Sequence, residues 1–159
     1  MLSIYKRMVT ALFLSVIFTY SQAGTPVHAQ ADGPTVGTQK SESGIRHSFL
    51  VTGSITAIIG EDNRVQWQVP GRSRDGFVLP NGNVLVSIEN SAREYTRDGK
   101  LVFQYKLDPI NKELGTVVRL EGGNTMVVER GAKPRILEIT PAGQIDVEVP
   151  LQPDTNNAH

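Results

Sequence analysis

His47 and His159 are the side chains in this 159-residue chain best suited to acid–base or nucleophilic work. Imidazole titrates near neutrality, so such a pair can act as nucleophile and base, or hold a metal together with carboxylates. The sequence gathers no partners around either one: His47 stands beside Arg46 at the start of an apolar run, and His159 is the last residue. Glu94 and Glu138 are the next candidates, because they recur at matching places 44 residues apart with Arg93 and Arg135 close by. Repeated acids around a channel could bind Ca²⁺, which takes about six to eight oxygens. Repeated surface carboxylates paired with neighbouring arginines are the competing expectation. Trp67, Phe103 and Tyr105 could form an aromatic surface for sugar or peptide, or could pack between sheets. There is no Gly-rich phosphate loop, zinc-ligand spacing or nucleophile elbow, and zero cysteines exclude disulfides and thiolate metal sites. No residue is therefore assigned to catalysis, a cofactor or a metal, and no cofactor is expected.

The elements that must position these side chains are written as a repeat. Leu79-Pro80-Asn81-Gly82-Asn83-Val84-Leu85-Val86 returns 41 residues later as Leu120-Glu121-Gly122-Gly123-Asn124-Thr125-Met126-Val127. Glu94-Tyr95-Thr96-Arg97-Asp98-Gly99-Lys100-Leu101 returns as Glu138-Ile139-Thr140-Pro141-Ala142-Gly143-Gln144-Ile145. A worn earlier copy holds Phe49-Leu50-Val51 and then Asp62-Asn63-Arg64-Val65-Gln66-Trp67, 36 residues before its counterpart. Short apolar runs between Gly turns, at a period near 40, predict an all-β fold of β-propeller blades, each of four antiparallel strands. Strands are expected over 48–52, 55–59 and 64–69; over 76–79, 84–88, 93–96 and 101–105; and over 116–120, 125–129, 136–139 and 144–149. Asn81-Gly82 and Asp98-Gly99 are expected as tight two-residue turns with positive φ at both residues. By this alignment Leu85 and Met126 are equivalent, both buried between sheets.

That makes about 2.75 blades, at roughly 45–75, 76–113 and 114–159, with the innermost strand of the first copy missing. A ring closes only with about 4 to 8 blades, so this one is incomplete. The expected explanation is that the chain is the front part of a longer protein, a truncated member of its kind; the alternative is that three-blade units associate. In both cases the end faces lack partners, and a marginal or self-associating domain is expected.

Residues 1–29 read as a signal peptide: Lys6 and Arg7, an apolar run from Val9 to Tyr20, and small residues at Val27 and Ala29 before Gln30. A secreted or periplasmic location follows as an expectation. Residues 30–44 are too poor in apolar side chains to order themselves and read as a flexible leader before a domain over 45–159. The full chain balances 16 basic against 16 acidic residues, and losing Lys6 and Arg7 leaves a net charge of −2. With both signs interspersed, no nucleic-acid partner is expected.

The run from Asp75-Gly76 through Leu79-Pro80-Asn81-Gly82-Asn83 to Leu85-Val86, followed by Glu94-Tyr95-Thr96 and Gly99-Lys100-Leu101, resembles the secreted bacterial β-propeller repeats of the PQQ-like (quinoprotein-like) superfamily. In quinoprotein dehydrogenases of that superfamily each blade docks a tryptophan on its neighbour. Only Trp67 stands at the comparable place here, with Phe103 and Val147 at the others, so the resemblance implies the fold and not PQQ binding. The function expected is a binding or scaffold module without its own catalysis, for an unknown protein or carbohydrate ligand. The alternative is the N-terminal fragment of a propeller enzyme, quinoprotein-like or arylsulfotransferase-like, whose site needs further blades.

Overall fold

The computed structural model describes residues 34–152, so the segment read as a signal peptide and His159 lie outside the described residues. Eleven strands run through them: β1 (Phe49–Val51), β2 (Thr56–Ile59), β3 (Val65–Val69), β4 (Ser73–Val78), β5 (Val84–Ile88), β6 (Ser91–Tyr95), β7 (Leu101–Lys106), β8 (Asn111–Arg119), β9 (Thr125–Gly131), β10 (Arg135–Ile139) and β11 (Ile145–Pro150). No helix occurs among the described residues. The strands form three open antiparallel sheets, ordered β1-β2-β3, β4-β5-β6-β7 and β8-β9-β10-β11. The grouping into three, four and four strands is the one read from the repeat.

Within each sheet the chain meanders, because its connections are short hairpins. Five of them use one turn: the residue before the turn donates its N–H to the residue after it and accepts the N–H of the third turn residue, as with Leu79, Asn83 and Gly82. Only that third residue has positive φ: Gly82, Gly99, Gly123, Gly143 and, in the first sheet, Asn63. The expectation for Asn81-Gly82 and Asp98-Gly99 is corrected here. Asn81 and Asp98 keep negative φ, so these are three-residue loops in which a type I turn is followed by one left-handed residue. Pro80 and Pro141 suit such loops, since their fixed φ is the one that the first turn position needs. The sheets share a second irregularity. The pairing shifts by one residue between Ile58 and Ile59, between Glu94 and Tyr95, and between Glu138 and Ile139, at the same place each time.

The sheets stack face to face. Leu50, Ile58, Trp67 and Val69 of the first sheet pack on Val84, Val86, Ile88 and Tyr95 of the second, and the Trp67 and Tyr95 rings lie 6.1 Å apart at 60°. The other face of the second sheet, with Leu85, Ala92, Phe103 and Tyr105, packs on Leu114, Val117, Val127, Leu137 and Ile139 of the third. Trp67, Phe103 and Tyr105 are thus packing residues, each worth about 2–3 kcal/mol of burial, and offer no exposed aromatic surface. Residues 34–44, the described part of the segment read as a leader, lie beside the first sheet together with residues 45–47. Val65 N–H donates to the Pro34 carbonyl at 3.2 Å, Val36 N–H to Asn63 at 2.9 Å, and Gln39 bonds the backbone of His47 at both ends of its amide.

Met126 departs from its equivalence with Leu85. Leu85 is fully buried between the second and third sheets, whereas Met126 lies half-buried on the outward face of the third. Nothing among the described residues covers that face. Leu85→Asp should therefore cost more than about 4 kcal/mol, by placing a charge in a sealed apolar layer, while Met126→Asp should cost within about 1 kcal/mol. Chemical denaturation of the two variants checks this, and equal losses would contradict the stacking described.

Candidate functional site

In the second strand of the third sheet a glutamate stands where the second sheet has Ile88. Glu129 is fully buried at the junction of those two sheets. A buried carboxylate is tolerated only if its lone pairs are bonded, and four donors do so here. Tyr105 Oη donates at 2.7 Å and the Asp108 N–H at 3.0 Å to one oxygen. The Asn111 Nδ2 and Arg135 Nε each donate at 2.8 Å to the other. The terminal nitrogens of the same Arg135 guanidinium reach Asp108 and Glu148, both at 3.1 Å. Asn111 ties the group to the next loop as well, giving its second N–H to the Lys133 carbonyl and accepting the Lys133 N–H, both at 2.8 Å.

Burial alone would raise the Glu129 carboxyl, but the bonds from Asp108, Arg135, Tyr105 and Asn111 outweigh it and hold the group below its ordinary value. Burial and the neighbouring Glu129 carboxylate push the Tyr105 hydroxyl well above its ordinary range. Burial opposes the charge of Arg135, yet the bond and attraction of Glu129 leave it more firmly protonated than usual. Both oxygens of Glu129 are engaged and the side chain is sealed from water, while Asp108 and Glu148 at the edge of the cluster are partly exposed. The Glu129 carboxylate cannot take a proton from a substrate; it locks three segments together.

Two further polar latches join the same sheets. Arg119 of β8 reaches Glu94 of β6, which also accepts from Asn83 Nδ2 at 2.6 Å, and the guanidinium carbon sits 5.6 Å from the Phe103 ring centre. Asp75 of β4 accepts from the hydroxyl of Thr116 and, at 3.2 Å, from the Val117 N–H. At the first junction the place of Glu94 and Arg119 is taken by Ile58 and Val78, which line an apolar groove.

The candidates read from the sequence are not brought together. His47 is exposed, and its backbone is what Gln39 holds. Glu94 is not a surface carboxylate paired with Arg93: it is buried and paired across the junction with Arg119, while Arg93 lies 3.7 Å from Glu89. Glu138, its counterpart, is half-exposed on the open face of the third sheet. Sequence reasoning passed over Glu129, Arg135 as its partner, Asn111 and Asp108. The available signal was the exchange, at equivalent and neighbouring strand positions, of Ile88 and Ser91 for Glu129 and Arg135.

No family model matches this chain, and no curated protein matches it in sequence. Among solved structures it is similar to a protein of unknown function from Bacteroides caccae, at 23% identity and a TM-score of 0.57. The match covers 66% of this chain and 40% of that one, so the chain spans less than half the length of its structural neighbour. The likeness is one of fold.

Glu129→Gln should destabilise the chain by about 3 kcal/mol, because Arg135 loses its buried counter-charge. Since folding lowers the Glu129 pKa, its contribution is complete above the ordinary value of 4.5 and is lost as pH falls through the lower folded value. The gap in melting temperature between the natural chain and Glu129→Gln should accordingly shrink as the pH is taken below about 4.5. A gap that is constant down to acid pH would show that the carboxylate charge is not what holds the junction.

Proposed function

We propose that this chain is a secreted, non-catalytic β-repeat module whose stacked sheets are propeller blades of the PQQ-like type, working as a binding or scaffold surface. One observation carries the reading. The outward face of the third sheet presents Met126, Ile136, Glu138, Val147 and Val149 at the positions where the second sheet presents Leu85, Ala92, Glu94, Phe103 and Tyr105. On the second sheet those side chains are covered by the next sheet. On the third they are open, with Val147 40% and Val149 47% exposed beside Ile145 and Leu151. An apolar face of this kind on a water-soluble chain marks an association surface. The fully bonded Glu129 carboxylate supports a scaffold rather than a reaction centre, and the location rests on the N-terminal Lys6–Arg7 and apolar segment.

The occupant proposed for that face is a second copy of the chain. Association would bury the β11 valines, and Glu138 favours an arrangement that offers it a cation, as Arg119 is offered to Glu94. Sedimentation at micromolar concentration should show reversible association of the natural chain, lost in the Val147→Lys/Val149→Lys double variant with the strand content unchanged. A compact monomer in both cases would overturn the proposal.

A further inference from the structure

We infer that the face of the second sheet turned away from the third carries a binding site for a small hydroxylated carboxylate, such as a sugar acid. The site is a cleft of about 430 Å³ rimmed by Glu89, Asn90, Ser91, Arg93, Gln104 and Lys106, within the size range of small-ligand pockets. Strand pairing sets Ser91 opposite Lys106 and Arg93 opposite Gln104, so these four side chains share one face of β6 and β7. The cleft exists because the two junctions are built differently. In the third sheet the position of Ser91 is held by Arg135, and across the junction Tyr105 stands where the first sheet has only Val69. The bulky ion-pair cluster that fills the second junction is thus missing from the first, and open space remains.

Arg93 is the group that points to the ligand. Arg135 makes short bonds to three carboxylates, but Arg93 has a 3.3 Å bond to the Tyr95 hydroxyl, a 3.7 Å approach to Glu89 and a buried Nε–H with no acceptor. A guanidinium so weakly bonded can take a planar carboxylate on its terminal nitrogens, since that geometry allows two parallel hydrogen bonds. Lys106 adds a second cation that has no ion pair among the described residues. Against the one acid, Glu89, the cleft carries a single net positive charge, which suits a monoanion. The amides of Asn90 and Gln104 at the rim provide donors and acceptors for hydroxyl groups. Glu89, exposed and held in a left-handed backbone conformation at φ 52°, is the internal carboxylate that an incoming one displaces.

This site lies on the opposite face of a different sheet from the association surface proposed above, so the two stand or fall separately. The test is an amide-resolved NMR titration of the whole chain with glucuronate, with glucose and sulfate as controls. Glucuronate should give saturable shifts at Asn90, Ser91 and Gln104 that glucose does not give. Arg93→Lys keeps the charge but loses the fork, and should weaken binding about tenfold. Lys106→Met should weaken it several-fold, and Glu89→Gln should tighten it. Where Arg93→Lys fails to fold, the exposed Lys106 and Glu89 variants carry the test. Absence of saturable shifts, equal shifts with glucose, or equal binding of sulfate that is unaffected by the substitutions would each overturn the inference.

Discussion

Strand β5 is covered on both of its faces, and the rest of the architecture depends on that double burial. Val84, Val86 and Ile88 are pressed by the first sheet, and Leu85 by the third, with Ser87 giving its hydroxyl to the Leu114 carbonyl. A four-stranded sheet with one face in water would have to alternate apolar and polar residues. Five residues in succession with almost no exposed surface require a neighbour on each side. The second sheet therefore dictates the stack: the first and third sheets are where they are because Val84–Ile88 has no solvent-tolerant face.

Polar groups then decide how the layers are fixed. The first junction is held mainly by apolar packing around Trp67 and Tyr95, with Thr56 and Ser73 joined by a 2.6 Å hydroxyl contact at its rim. The second adds three latches: Tyr105 with Glu129, Glu94 with Arg119, and Asp75 with Thr116. Buried ionic groups of this sort contribute little net stability over apolar residues of the same size, but they penalise any misplacement strongly. Their effect is on the geometry of the junction more than on its strength.

All eleven strands, and their grouping into sheets, were legible in the sequence because each copy carries its own turns and apolar runs. The Gly and Asn residues that close the hairpins, and the continuous Val84–Ile88 run, are local signals. The turn type was misread because Asn81-Gly82 and Asp98-Gly99 fit two loop lengths, and only the hydrogen bonds distinguish them. Met126 was misplaced because a repeat alignment reports equivalence of position, whereas burial depends on whether another sheet lies on top. Glu129 was invisible for a related reason. A charged residue at the end of an apolar strand reads as a strand boundary, and its partners come from β7, β8, β10 and the loop at Asp108.

The difference between Ile58–Val78 at one junction and Glu94–Arg119 at the other also acts as an address. Repeat chains run the risk, while folding, of docking a correct sheet on the wrong neighbour, because the copies look alike. Were the third sheet to settle on the first, Arg119 would be driven against Ile58 with no acceptor, and Asp75 would be left without Thr116 and Val117. Each buried group stranded in that way costs on the order of 1–3 kcal/mol, enough to disfavour the wrong order decisively. Near-identical layers are thereby made non-interchangeable, and the order of the stack is proofread by a handful of side chains.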